Sequence, residues 1–347
     1  MADQISLLVN NVELTKFNSY SVDADFYLAA DAFQVDVAGS VDGIKEGQRV
    51  KLQVNGVTEL DGIIDCPSRT LEKGKRSLSI SGRDLAGLLV DSHTDGFGEM
   101  LGPDGQPLLN PSLEYITKKL INKVPFIQRN NVFYQFPKDT PVPNWGFVYI
   151  EPGRGIFDVL SEKAKALGLV FYAMPDGKFY FGKPKSKKDK DEKNFNIVNR
   201  FDGRGNNCFY SNYHPDLSKR YSVVNVISSC QGIDAKPTSQ LTTAASVADP
   251  SFPFYKPFYT IENSGIMTPQ RQARMIMDMQ RRQGFQLTYK VYGLTQNGRN
   301  WSINELCSVD DEENDLRGTY FIYGRRFVQN KEEGKYTELR LGLPGLL

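Results

Sequence analysis

GQRVKLQVNGVTELDGIIDCPSRTLEKGKRSLSISGRDLAGLLVD, residues 47–91, is the stretch whose reading decides the fold. Val50, Leu52 and Val54 alternate with polar residues, the period of a strand with one buried face. Asn55-Gly56 follows; both residue types tolerate the positive φ of a two-residue hairpin turn, so the run ending at Ile63 and Ile64 returns beside the first. The polar turn Glu72-Lys73-Gly74-Lys75 leads into a third run, with Leu78 and Ile80 on one face and Ser77, Ser79 and Ser81 on the other. This meander stops at Gly82, where the chain is expected to turn over. Asp84 is placed to cap a short helix, and Leu85, Leu88 and Leu89 form an apolar stripe suited to closing one end of a barrel.

Toward the N-terminus, Ile5, Leu7 and Val9 alternate, Asn10-Asn11 can turn the chain, and Val12, Leu14, Phe33, Val35 and Val37 continue the strand pattern. That density of short strands is typical of a small barrel or sandwich, so residues 1–95 are expected to be an antiparallel β domain. A Gly-, Pro- and Asp-rich connector then opens a mixed α and β region, residues 96–200. Its first helix has Asn110 as expected N-cap, Pro111 at the first turn and the stripe Leu113, Ile116, Leu120 and Ile121, with Pro125 as the stop. Its second carries Ile156, Val159, Leu160, Ala164 and Leu167, with Gly168 at its end, and a hairpin turns at Pro175-Asp176-Gly177. Residues 201–347 return to β structure, with one helix from Thr268-Pro269 to Gly284 and an apolar-poor segment, residues 233–250, expected to be a mobile loop. Met275, Met277 and Met279 on that helix suit core packing or a subunit contact.

Composition narrows the function. The 347 residues carry 42 Lys+Arg against 41 Asp+Glu, a net charge of +1, so no global basic field favours nucleic acid as the main partner. No cationic segment with a following apolar run stands at the N-terminus, and no run of about 18 apolar residues occurs; neither a secretory signal nor a membrane span is expected. Cys66, Cys208, Cys230 and Cys307 lie far apart, which argues for reduced thiols rather than a zinc site. The two histidines, His93 and His214, are isolated from each other along the chain. The mixed charge run at residues 183–193 reads as a solvated loop.

The meander ending in Gly82-Arg83-Asp84, with the leucine-rich turn and Asp91 after it, resembles the baseplate hub proteins of Mu-like contractile-tailed bacteriophages. The order of helix, glycine, apolar strand, Asp-Gly turn and aromatic strand over residues 156–182 is a second point of resemblance. It implies two small antiparallel, tail-tube-like β-barrels flanking an α/β domain. The implied role is a homotrimeric ring with pseudo-six-fold symmetry that joins the hexameric tail tube to the trimeric central spike, in contact with other baseplate proteins. The expected location is the virion tail baseplate, assembled in the host cytoplasm, with no cofactor. The hub-like part of type VI secretion spikes and of other contractile injection devices shares the same module. An internal echo fits this implication: Gly74-Lys75 and Gly82 recur in spacing as Gly334-Lys335 and Gly342, although Leu78 and Ile80 fall one position out of step with Leu339 and Leu341, so that a bulge is expected.

Catalytic constellations are absent as motifs: no phosphate loop, no nucleophile elbow, no zinc helix. Gly153-Arg154-Gly155 opens a helix and could present N–H groups to an anion, but a flexible helix entry explains it. Gly203-Arg204-Gly205 repeats the tripeptide. Asp310-Asp311-Glu312-Glu313 has no EF-hand spacing. The expectation is therefore a non-enzymatic structural protein, with a carbohydrate-binding or carbohydrate-cleaving tail component as the alternative, since two suitably separated carboxylates suffice for that chemistry. Gly82, Arg83, Asp84 and Asp91 are the candidate motif: Gly82 for the turn, Asp84 as helix cap, and Arg83 for a pairing across a barrel edge or a subunit boundary.

Overall fold

The computed structural model describes residues 3–10, 12–37, 39, 41–95, 100–102, 104–187, 195–229, 242–262 and 267–347. The first third is β1 (Ile5–Val9), β2 (Val12–Leu14), β3 (Phe17–Asp25), β4 (Ala32–Val37), β5 (Arg49–Val54), β6 (Val57–Glu72), β7 (Lys75–Asp84) and the short helix α1 (Ala86–Asp91). The middle holds α2 (Leu113–Ile121), β8 (Val132–Tyr134), α3 (Ile156–Ala166), β9 (Val170–Ala173) and β10 (Phe179–Gly182). After these come β11 (Phe195–Asn199), β12 (Cys208–Pro215), β13 (Val223–Ser229), β14 (Thr242–Ala248), β15 (Pro257–Glu262), α4 (Pro269–Gln283) and β16 (Phe285–Tyr292). The chain ends with β17 (Thr295–Gln296), β18 (Arg299–Asn300), β19 (Glu305–Asp311), β20 (Leu316–Asn330) and β21 (Gly334–Gly342). Mainly antiparallel β structure is thus observed, as the alternation predicts.

The two β regions share one thirteen-stranded sheet, ordered β12-β16-β21-β20-β3-β4-β7-β6-β5-β1-β2, with β19 on β20 and β11 on β19. No pairing closes this path into a ring among the described residues. Its inward faces make one continuous apolar core, with Leu7, Val22, Val35, Leu52 and Ile80 from the first region and Leu287, Tyr289, Phe327, Leu339 and Leu341 from the second.

Five strands of each region follow the same plan. The order β3-β4-β7-β6-β5 is repeated as β12-β16-β21-β20-β19, and the registers superimpose pair by pair up to a bulge between Leu52 and Gln53 on the β5·β6 pair that β19·β20 lacks. Gly82 faces Ile64 and Phe33, as Leu341 faces Ile322 and Leu287. Bulges recur at equivalent places: between Ile64 and Cys66 in β6 as between Ile322 and Gly324 in β20, and between Phe17 and Ser19 in β3 as between Cys208 and Tyr210 in β12. The step between the two sequence echoes has a simpler cause than the expected bulge. Glu72 pairs with Lys75 across Lys73-Gly74, whereas Asn330 pairs with Gly334 across Lys331-Glu332-Glu333, so the second turn holds one residue more. Leu78, Ile80 and Gly82 then align with Thr337, Leu339 and Leu341, and all six are buried. The repeat departs at the sheet end, where β1 runs antiparallel to β5 but β11 runs parallel to β19.

Two smaller units are set into this frame. The three-stranded sheet β8-β10-β9 packs with the helices around Ile116, Leu120, Val159, Leu160, Phe171, Phe179 and Phe181. Leu85, Ala86 and Leu89 belong to this core, so α1 anchors the middle unit rather than capping a barrel. The first long helix is capped by Ser112, whose hydroxyl accepts from the Tyr115 N–H at 3.2 Å. Asn110 instead sits at φ 50° and its side chain accepts from Gly146 N–H at 2.6 Å, a loop clasp in place of the expected cap. The other small unit lies between β12 and β16: the sheet β14-β13-β15, backed by α4 through Val224, Val226, Ala273 and Met277. Thr268 caps α4, accepting from Arg271 N–H, and Gly284 closes it as the sequence predicts. The strand Thr242–Ala248 corrects the expected mobile loop over residues 233–250; its Thr, Ala and Ser pair with β13, which supplies the apolar side chains. Residues 233–241 of that loop, Cys230, Gly96, Gly98 and the end of the charge run lie outside the described residues.

Candidate assembly interface

The motif at the end of β7 is built by close backbone approach. A Cβ on Gly82 would lie 2.0 Å from the Ile63 carbonyl oxygen and 2.7 Å from Phe33 Cε1, so only glycine fits between β4 and β6. Sequence reasoning assigned Gly82 to a turn; the structure gives it a strand position whose constraint is space. Next to it, the β6 bulge leaves Asp65 out of the ladder and aims it at Arg83. The Arg83 guanidinium donates to Asp65 at 2.8 and 3.1 Å and to Asp91 at 3.0 and 2.7 Å. These two forked pairs tie the bulge and the last residue of α1 to β7. The hydrogen bonds to Asp65 and then Asp91 raise the Arg83 pKa, and the Arg83 hydrogen bond holds Asp91 below the usual carboxylate range. Arg83 and Asp91 therefore meet each other within one chain.

Asp84 turns inward. Its carboxylate accepts from Gly87 N–H at 3.3 Å, satisfying a free donor at the start of α1, and its own N–H donates to the Asp31 carbonyl. Burial raises its pKa to about 7. Asp31 lies in the same buried place; burial first, then the Asp84 and Asp25 charges, push its carboxyl well above the ordinary value.

The joint between the repeated regions escaped sequence reasoning. β20 continues past the end of β19, and β3 takes its place: Gly324 to Gln329 pair with Asp25 to Tyr20. Arg325, fully buried, donates to Glu59 at 2.5 Å and stacks its guanidinium 3.9 Å from the Phe327 ring, while Asn300 donates to the other Glu59 oxygen at 2.7 Å. At the rim, Arg340 pairs with Asp25 at 3.0 Å and Asp23 at 3.5 Å, and Arg326 with Asp23 at 3.4 Å. The middle unit meets the joint through Phe26, whose ring lies 4.2 Å from Tyr172 and 5.5 Å from Phe321. The only sequence signal for β3 is Tyr20, Val22 and Ala24 at alternate positions, diluted by serines and aspartates.

The remaining candidates have structural partners. Asp311 is buried and accepts from the Tyr289 hydroxyl at 2.7 Å, Asn199 at 2.9 Å and Asn314 at 2.7 Å; Asp310 pairs with Arg200 and Arg317 on the surface. At Gly153-Arg154-Gly155, the Ile156 N–H donates to the chain's own Ser92 carbonyl at 2.9 Å. Met277 is core, whereas Met275 and Met279 line a cleft of about 290 Å³ with Tyr27, Phe157, Lys165 and Arg282. The outer face of β13 and β15 exposes Ile227, Tyr259 and Ile261 beside Phe254 and Tyr255. His93 bridges to Gly155, and His214 lies exposed on β12. No group of three or more His, Cys, Asp or Glu side chains suited to a metal ion occurs among the described residues, and no described helix is long and apolar enough to cross a membrane.

The molecule is thus built on one sheet assembled from two equivalent five-strand regions, with tied corners and a buried Arg325–Glu59 ion pair at the joint. Comparison with known proteins gives this architecture its context. Residues 4–84 match the family model of the Mu phage baseplate assembly protein GpP-like N-terminal region, and residues 279–344 that of a tail protein C-terminal domain. The chain is 21% identical over 354 residues to the baseplate hub protein gp44 of Escherichia phage Mu, covering 98% of this chain and 88% of that one. The tail protein of Neisseria meningitidis MC58 superimposes with a TM-score of 0.81 at 25% identity, over 100% of this chain and 98% of the other. The 43 kDa tail protein of prophage MuSo2 from Shewanella oneidensis gives 0.78 at 18% identity, over 98% of both chains. The resemblance to Mu-like hub proteins read from Gly82-Arg83-Asp84 thus extends along the whole chain.

Proposed function

We propose that this protein is a non-enzymatic hub subunit of a contractile phage tail. Its two five-strand regions are the two tail-tube-like barrel domains of a hub, with the α/β unit between them. Three copies form a ring of six related regions, which matches six tail-tube subunits on one side while the three-fold axis receives a trimeric spike on the other. The virion tail baseplate is then its place, after assembly in the host cytoplasm, beside other baseplate proteins. The observation that carries this reading is the pairwise repetition of register from β3-β4-β7-β6-β5 to β12-β16-β21-β20-β19. Symmetry matching needs related edges on unrelated copies, and a repeat within one chain supplies them without six identical chains. What supports the setting is the likeness to the Mu baseplate hub over nearly the whole chain.

The test is absolute mass by light scattering over a wide concentration range, followed by binding to tail-tube protein. A mass of about three times 39.1 kDa in the upper part of that range, and capture by tube protein, are expected. A chain that stays monomeric at every concentration and does not bind tube protein would sink the proposal.

A further inference from the structure

The repeat leaves one edge without its counterpart at each end. In the joint, residues 324–329 of β20 are covered by β3, and Gly324, Arg325 and Phe327 are buried. The equivalent stretch of β6 is residues 66–71, because Ile64 and Cys66 take the places of Ile322 and Gly324. There β6 has run past β5, and no described strand lies on that edge; all six residues except half-buried Pro67 are exposed. The loop entering β5 leaves the edge open just as its counterpart does in the joint. Gly47 N–H donates to Ile64 as Asn304 N–H does to Ile322, and the carbonyls of Ile44 and Trp301 each accept from an arginine, Arg69 and Arg325. At the other end of the sheet, β12 is the equivalent of β3 and, among the described residues, pairs only with β16. Its outer edge is open, and Ser211, Tyr213 and Pro215 stand where β3 has buried Tyr20, Val22 and Ala24.

We infer that β12 of one copy adds to residues 66–71 of β6 in the next copy, in the register of the internal β20·β3 joint. This deepens the trimer reading and rests on it. Transferring the joint's pairs places Cys66 opposite Asp216, Pro67 opposite Pro215, Ser68 opposite His214, Arg69 opposite Tyr213, Thr70 opposite Asn212 and Leu71 opposite Ser211. In the joint, Phe26 N–H donates to the Tyr323 carbonyl at 2.7 Å, which sets the alternation: positions equivalent to Arg325, Phe327 and Gln329 point their N–H groups at the incoming strand. On β6 these are Pro67, Arg69 and Leu71. Pro67 and Pro215 face each other and contribute no donor, so the main-chain bonds come from Arg69 with Tyr213 and from Leu71 with Ser211. A proline on each free edge also discourages addition of an arbitrary strand, leaving the copy's own edge as the fitting occupant. The contact is head-to-tail, so each copy uses both of its edges and the series closes on itself at three copies.

Thr70 and Asn212 fall at a non-hydrogen-bonded pair, where opposing Cα atoms approach to about 4.5 Å and a disulfide is geometrically allowed. Both residues are exposed and outside the motif at the end of β7. On a Cys66→Ser background, Thr70→Cys with Asn212→Cys should link copies on mild oxidation. Non-reducing denaturing gels should then show linked dimer and trimer and nothing larger, whereas Thr70→Cys with Tyr210→Cys, which is out of register, should remain unlinked. Light scattering of the reduced variants separates the two readings. A trimeric mass without in-register linking overturns the edge assignment and leaves the trimer standing. A monomeric mass for the unsubstituted chain overturns both, and a ladder beyond trimer overturns the closed ring.

Discussion

The hairpins β6–β7 and β20–β21 have the same bulge, the same register and nearly the same length, yet residues 324–329 of β20 are largely buried while residues 66–71 of β6 are exposed. The difference lies in what adjoins the edge. β20 has a buried arginine, a buried glutamate from the other region and a charged rim of Arg326, Arg340, Asp23 and Asp25, because its edge is joined within the chain. β6 carries Pro67, Ser68, Arg69 and Thr70, residues that tolerate water until a partner arrives. Equivalent backbone geometry is therefore covered within the chain in one place and exposed in the other, and the side chains differ accordingly.

The sharpest way to break the joint within the chain is Arg325→Ala. It leaves the buried Glu59 carboxylate without its cation, and a loss of about 3–5 kcal/mol in denaturant unfolding is expected. Pro67→Ala, at the equivalent position of the open edge, should stay within about 0.5 kcal/mol of the parent under dilute conditions. Gly82→Ala should follow, at about 1–3 kcal/mol, since its Cβ would meet the Ile63 carbonyl at 2.0 Å and the β6–β7 ladder would have to part. Ala at the equivalent Leu341 removes core volume instead, so the two substitutions should differ in kind: Leu341→Ala leaves a cavity and Gly82→Ala a displaced strand, distinguishable by amide shifts along β6.

Asp84 offers a pH test of the corner beside Gly82. Its folded pKa, raised by burial to about 7, exceeds that of the unfolded chain, 3.8. Between these values the folded protein holds more protons, so the contribution to stability is complete below about pH 4 and is lost as pH rises through 7. Asp84→Asn should raise Tm relative to the parent at pH 8 and change it much less at pH 4. An equal shift at both pH values would contradict the assignment. A smaller effect than at Arg325 or Gly82 is expected at Arg83→Met. Both forked pairs are partly exposed, so about 1 kcal/mol is expected, and the Asp91 carboxyl, measured by NMR titration, should return upward toward its ordinary value.

Much of the repeat could be read from residues alone. The alternation of β1, β4, β5, β7, β16 and β21 follows their one-sided burial, and the charged turns with glycine announced the echo between Gly74-Lys75 and Gly334-Lys335. What stayed hidden were the strands that make or await joints. β3 reads FNSYSVDAD and β12 reads CFYSNYHP; each carries polar side chains because one of its faces meets an ion-pair rim or solvent. β14 was hidden because Thr, Ala and Ser give no apolar period when the neighbouring strand supplies the core. For the candidate motif, sequence identified Gly82, Arg83, Asp84 and Asp91 but not Asp65, which only the bulge brings into reach, nor the steric reason for Gly82.

Amide hydrogen exchange across a dilution series tests the central claim most directly, that the open edges of β6 and β12 are the counterparts of the β20·β3 joint. Where the mass is trimeric, the amides of Arg69, Leu71, Ser211 and Tyr213 should exchange as slowly as those of Phe327 and Val22, and should lose that protection on dilution to monomer while the joint keeps it. Fast exchange of all four amides in a sample of trimeric mass would contradict the account.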